Sequence, residues 1–204
     1  MDSKCSEPEV WRVRSDTPQR FDSALVACLK GADLGLRREQ VYLAPASPRW
    51  APAYHQLEQI LNQTRPEVVR ALAHIGSTAV PGLAAKPILD LAIGLAPTAD
   101  RATIHHWLSH LGFIYRGERD NTRPDLMYAF ERDPGIRLVN AHLIDYGASQ
   151  WQHYLNFRNY LRNHPADRDA YAALKERLAN RGDSDRGTYL AGKTQFIQQR
   201  RTAS

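Results

Sequence analysis

His74-Ile75-Gly76-Ser77-Thr78-Ala79-Val80-Pro81-Gly82-Leu83-Ala84-Ala85-Lys86-Pro87-Ile88-Leu89-Asp90-Leu91 holds the fold's signature in one stretch. The residues leading into it, 68–75, are mostly apolar, and 87–95 are apolar almost throughout, broken by Asp90. A short continuous apolar run of this kind predicts a central strand covered on both faces. Between the two strands, 76–83 reads as a loop by composition. A Gly-Ser pair after a strand lets backbone approach an anion closely and offers N–H donors beside a hydroxyl. An acid inside an apolar strand is costly unless its charge is used or paired. Lys86, four positions before Asp90, is placed to neutralise that carboxylate or a phosphate. The residues alone leave two readings open: an anion-binding loop with a functional acid, or a loop with one structural ion pair.

Outward from this stretch the pattern is helix and strand, without repeats. Phe21, Leu25, Val26 and Leu29 recur at helical spacing, Gly31 and Gly35 break the chain, and 41–44 reads as a short strand. A helix is expected over 53–62 and another over 100–111, closed by Gly112. Asp133-Pro134-Gly135 marks a turn between strands at about 125–131 and 136–144. From Trp151 onward three helices are expected, with Pro165 interrupting the first and Tyr189 opening the last. Strands with interspersed helices followed by helices predict an α+β, mixed α/β layer fold: a mixed sheet, flanking helices and a helical C-terminal segment.

Composition narrows the function classes. The 204 residues are 43% hydrophobic and 24% charged, ordinary for a water-soluble domain. No run is long and apolar enough to cross a membrane, and no secretory signal opens the chain, so a cytoplasmic location and no membrane partner are expected. Cys5 and Cys28 make neither a disulfide framework nor a zinc motif. The net charge of +5 lies wholly in 151–204, with 10 basic against 5 acidic residues. Such a segment suits phosphate, whereas the modest excess and the lack of a reading motif argue against nucleic acid.

The quoted stretch resembles the GrpB family, whose signature reads close to HIGSTSVPGLxAKPxIDI, and which looks like a branch of the nucleotidyltransferase superfamily. Twelve residues separate Ser77 from Asp90, in keeping with that superfamily's spacing. The resemblance runs over about 40–198. It takes in Arg137, the strand Asn140-Ala141-His142-Leu143-Ile144, the helix at Phe157-Arg158-Asn159, then Tyr171, Lys175, Tyr189 and Lys193. It implies a 1–40 N-terminal extension with a short helix, separable from a 41–204 domain of nucleotidyltransferase-like fold.

What the resemblance implies for function is transfer of a nucleotidyl group from a nucleoside triphosphate to a small-molecule acceptor. Gly76, Ser77, Thr78, Lys86, Arg158, Lys175, Tyr189 and Lys193 would bind phosphate. Asp90 and His142 would be catalytic, with Asp90 holding Mg²⁺ or Mn²⁺. Departures matter here. Ala92 stands where the superfamily has its second carboxylate, and the nearest candidates for the third position are Asn140 and His142, with Glu131 across the hairpin. Two-metal transfer needs more carboxylates than this. Two other readings therefore stay open: a non-catalytic nucleotide- or coenzyme-binding module, since GrpB-like domains are also joined to dephospho-CoA kinase, and an ATP-using ligase on the same scaffold.

Overall fold

A computed structural model of the protein describes residues 22–38, 40–118, 125–180 and the helix at 186–200, apart from the side chains of Glu118 and 186–190. Tyr189, Arg186, Cys5 and Phe21 fall outside the described side chains. The chain begins with α1 (Ser23–Leu29), whose N-cap Asp22 accepts from the amides of Ala24 and Leu25, satisfying donors the first turn leaves open. Then come β1 (Leu36–Arg37), α2 (Trp50–Thr64), β2 (Val69–Ile75) and, past a 3₁₀ turn at Ser77–Ala79, β3 (Leu89–Leu95). Next are α3 (Arg101–His110), β4 (Ile114–Glu118), β5 (Leu126–Asp133) and β6 (Ile136–Asp145). Helices α4 (Ser149–Asn163), α5 (Pro165–Ala179) and α6 (Arg186–Arg200) close the chain, with Pro165 at the start of α5, where its missing N–H costs nothing.

The strands form one mixed sheet in the order β2-β3-β6-β5-β4. β3 and β6 run parallel, Asp90 beside Asn140 and Ala92 beside His142, and the other neighbours are antiparallel. The fold is therefore α+β, as the sequence predicts. β3 lies inside the sheet, which accounts for its apolar run. Side chains alternate across a strand. Leu89, Leu91 and Ile93 join the large core with Trp50, Leu57, Leu61, Trp107, Leu108 and Phe130 under α1–α3. Asp90, Ala92 and Gly94 point to the opposite face, where Ile75, Ala92, Ile144 and Trp151 form a smaller cluster against α4. A third cluster of Val80, Leu83, Leu161 and Tyr171 ties the loop after β2 to α4 and α5.

Three elements differ from the sequence reading. Residues 41–44 make only an isolated bridge, Ala44 to Ala85, because Pro45 ends the segment before it can pair further. β4 has no expected counterpart: Gly117 interrupts a five-residue strand whose pairing with β5 is itself irregular. β1 is two residues long and pairs with the start of β6, Leu36 opposite Arg137. It takes the stretch of β6 that precedes the pairing with β3, anchored by Gly35 N–H to Pro87 O at 2.9 Å and Arg38 N–H to Gly135 O at 3.0 Å.

Within the described residues, the stretch ahead of residue 40 packs against the rest of the chain. Leu25, Leu29 and Ala32 are buried in the main core, and α1 lies on α2. Leu25→Ala is expected to lower unfolding stability by about 2–5 kcal/mol, the range for deleting a fully buried leucine side chain. Removal of residues 1–40 should cost more, since it uncovers the face of α2 as well. Urea denaturation of both variants, with midpoint and slope, checks this; unaltered midpoints would detach α1 from the core.

Candidate functional site

A cleft of about 220 Å³ opens between the β3/β6 face of the sheet and helices α4–α6. Its floor is the loop after β2. Gly76 has φ 71°, a left-handed conformation that glycine adopts without strain. A second constraint acts on the same residue: a Cβ at Gly76 would overlap the Asp90 carboxylate, with the Asp90 Cβ itself 2.9 Å away. The glycine of the signature is therefore the space in which the acid sits.

Asp90 is 29% exposed and faces the cleft. Its Oδ1 accepts from Asn140 Nδ2 at 2.8 Å, and Asn140 Oδ1 in turn accepts from Arg137 at 3.2 Å. Behind Arg137 lies Glu131, buried and paired with Arg116 at 2.7 Å and Arg137 at 3.4 Å. Glu131, a sequence candidate for a further acid at the site, thus serves two arginines instead of facing Asp90. On the other side of Asp90, His142 Nε2 stands 3.7 Å from Oδ1, while Nδ1 meets Asp125 Oδ2 at 2.7 Å. Tyr154 donates to the same Asp125 oxygen at 3.2 Å. Burial by itself pulls the His142 imidazole down, but the hydrogen bonds and charges of Asp125 and Asp90 outweigh it and hold the ring above its ordinary 6.5. Two carboxylates thus bracket His142 and bias it toward its protonated form.

Ser77 Oγ lies 3.2 Å from Lys175 Nζ, which also donates to Ala84 O. Lys175 is 1% exposed, and burial pushes its ammonium down to about 7, partly offset by Glu176. Thr78 lines the cleft, but its hydroxyl is engaged by Ile88 O at 3.3 Å and His74 Nε2 at 3.0 Å. Burial lowers the His74 imidazole to about 3, so it stays neutral, stacked on Tyr54 at 4.5 Å. Thr78 and His74 brace the loop. Arg158 donates to His74 O at 2.8 Å and lines the cleft with Lys86 and Lys193.

The sequence candidates Gly76, Ser77, Thr78, Lys86, Asp90, His142, Arg158, Lys175 and Lys193 all line this one cleft. Arg37, Arg38 and Tyr154 line it unforeseen, and Asp125 stands behind His142. Asp125 leaves a weak trace, an acid directly ahead of the apolar strand 126–130, but its facing of His142 depends on a register no local pattern shows. Among the described residues Asp90 is the one carboxylate on the cleft wall, set against Arg37, Arg38, Lys86, Arg158, Lys175 and Lys193. A pair of divalent ions asks for several oxygen ligands. Beside Asp90 stand an amide N–H and an imidazole biased toward its protonated form, so this donor set does not fit two ions.

Comparison with known proteins agrees with this architecture. The family model described as GrpB protein matches residues 40–202. A UPF0157 protein of Pseudomonas aeruginosa is 32% identical over 188 residues, spanning 91% of this chain and 73% of that protein. A dephospho-CoA kinase of Mycolicibacterium paratuberculosis is 30% identical over 189 residues, covering 80% of this chain but 46% of the kinase. The crystal structure of the conserved protein GrpB from Enterococcus faecalis superposes with a TM-score of 0.69 at 28% identity, over 78% of this chain and 94% of that one.

Two outcomes follow from the geometry. Gly76→Ala should destabilise the fold by about 1–3 kcal/mol, the cost of overpacking, and displace Asp90; calorimetry and a crystal structure of the variant check both. For His142 the native value is raised, so its contribution to stability is fully present below 6.5 and is lost as pH rises through the native value. Asp125→Asn should bring the ring's NMR titration midpoint down and flatten that pH dependence. An unmoved midpoint would remove Asp125 as the cause.

Proposed function

The chain belongs to the GrpB family, and from that premise we propose that the cleft binds a nucleoside triphosphate and passes its nucleotidyl group to a small-molecule acceptor. The observation that carries this reading is the charge of the wall. Cations from β1, the loop before β3, α4, α5 and α6 converge on Gly76–Ser77, with Asp90 as the acid among them. Arginine and lysine in such numbers suit phosphate oxygens, Arg by paired donors and Lys as a point charge. Lys86, Arg158 and Lys193 would hold the polyphosphate. Asp90, oriented by Asn140 and backed by the His142 imidazole, would align an acceptor hydroxyl and take its proton. Holding both reactants against one rigid sheet supplies much of the rate in transfers of this type. A lone Mg²⁺ or Mn²⁺ ion would have Asp90 as its protein ligand and would screen phosphate charge.

A second reading has a specific observation behind it. Asp90 is already engaged by Asn140, and the described residues contain no group of three or more His, Cys, Asp or Glu side chains able to hold a metal. That supports a non-catalytic module for a coenzyme-type nucleotide, in line with the similarity to part of a dephospho-CoA kinase.

Calorimetric titration with nucleoside triphosphates, dephospho-CoA and CoA, with and without Mg²⁺ or Mn²⁺, tests both. Arg158→Ala and Lys193→Ala are each expected to weaken triphosphate binding by about 1–3 kcal/mol, with affinity falling as salt rises. Asp90→Asn should keep binding and abolish transfer of the nucleotidyl group to the acceptor. Binding without pyrophosphate release in the wild type favours the module, and no binding of any nucleotide removes both readings.

A further inference from the structure

Lys175 lines the cleft, but it is held differently from an ordinary phosphate-binding lysine. Its buried side chain has Nζ 4.9 Å above the ring of Tyr171, which belongs to the cluster with Val80, Leu83 and Leu161, and meets the cleft at Ser77. A lysine displayed for phosphate would keep its ammonium group hydrated and mobile. Here the amine is fixed at two points, by the Ala84 carbonyl and the Ser77 hydroxyl, and is shut away from water. That is the arrangement by which a protein turns a hydroxyl into a nucleophile: a desolvated base at hydrogen-bond distance, itself oriented by a third group. The 3.2 Å between Nζ and Oγ serves in both directions, Lys175 donating when charged and Ser77 donating when the amine is neutral. Burial, which brings the lysine to about 7, makes the neutral amine accessible.

We propose that Ser77 and Lys175 form a nucleophile–base pair, and that Ser77 carries the nucleotidyl group covalently between the triphosphate and the acceptor. The proposal rests on the nucleotide reading of the same cleft. In the first step Ser77 Oγ forms a bond to the α-phosphorus, the bond from that phosphorus to the bridging oxygen breaks, and pyrophosphate leaves with the electron pair. The Ser77 proton passes to Lys175 Nζ. In the second step the acceptor oxygen bonds to the same phosphorus and its proton goes to Asp90. The Ser77 Oγ–P bond breaks and Lys175 returns its proton to Oγ. Two displacements of this kind need no metal-activated acceptor at the outset. This gives the carboxylate-poor cleft a chemical logic: the first nucleophile is held by the protein and activated by an amine.

The experiment uses the full chain and α-³²P-labelled ATP, GTP, CTP and UTP without any acceptor. Wild type should retain label after denaturation and should exchange radioactive pyrophosphate into the triphosphate it binds. Ser77→Ala and Lys175→Met should each reduce labelling and exchange by about 100-fold or more, the usual contribution of a nucleophile or its base. Ser77→Ala should lower nucleotide affinity by no more than about tenfold, since one neutral hydrogen bond is worth roughly 0.5–1.5 kcal/mol. Ser77→Ala is the decisive variant, because it leaves the buried lysine in place and its melting midpoint reports folding directly. Nucleotide binding without label or exchange in wild type overturns the covalent step and leaves the nucleotide reading standing. Labelling that persists in Ser77→Ala also overturns it. Absence of nucleotide binding overturns both.

Discussion

The contact between the Asp90 carboxylate and the bare backbone of Gly76 is the constraint on which the rest of the site depends. An acid in an interior strand must find partners or be displaced from the sheet. Here the neighbouring strand end is curled back with a left-handed glycine, so that the carboxylate lies against backbone with no side chain between them. From that seat one oxygen meets Asn140 on the parallel strand, two residues before His142. Parallel pairing of β3 with β6 is what brings both residues to the same face as Asp90.

Around this seat the polar groups are layered by depth. The innermost layer is a network of buried ions: Glu131 between Arg116 and Arg137, and Asp125 beneath His142. Buried charges of this kind contribute little net stability but are expensive to break, so they hold one geometry. The middle layer is neutral, with His74, Thr78 and Tyr54 bracing the loop by a hydrogen bond and a ring stack. The outer layer is cationic and faces the cleft. Positive potential in a partly enclosed, low-dielectric cleft draws anions and strengthens each contact made there.

The helical C-terminal segment closes the cleft instead of standing apart as a basic tail. Arg158 on α4, Lys175 on α5 and Lys193 on α6 reach one cavity, and Arg162 ties α4 to the loop through Ala79 O. The charge excess of 151–204 is thereby split. Some of it lines the cleft, while Arg200 pairs with Asp167, and Arg168 with Asp169, away from the site. Sequence charge alone does not separate these groups.

What the sequence determined by itself was local and periodic. The apolar runs around Asp90, the helical spacings from Trp151 onward and the Pro134-Gly135 turn place most elements within a few residues, because each depends on neighbours along the chain. The Gly76-Ser77 loop and Asp90 were legible for the same reason: glycine after a strand and acid within one are rare and costly. Tertiary structure decided what each charge faces. Glu131 turned to two arginines, Lys175 went inside to Ser77, and Asp125 emerged beneath His142. Arg37 arrived from β1, a strand too short for any periodicity to reveal, and Arg38 from the turn just after it. These outcomes are set by strand register and by which helix covers which face, and a shift of one residue moves a side chain to the opposite side of the sheet.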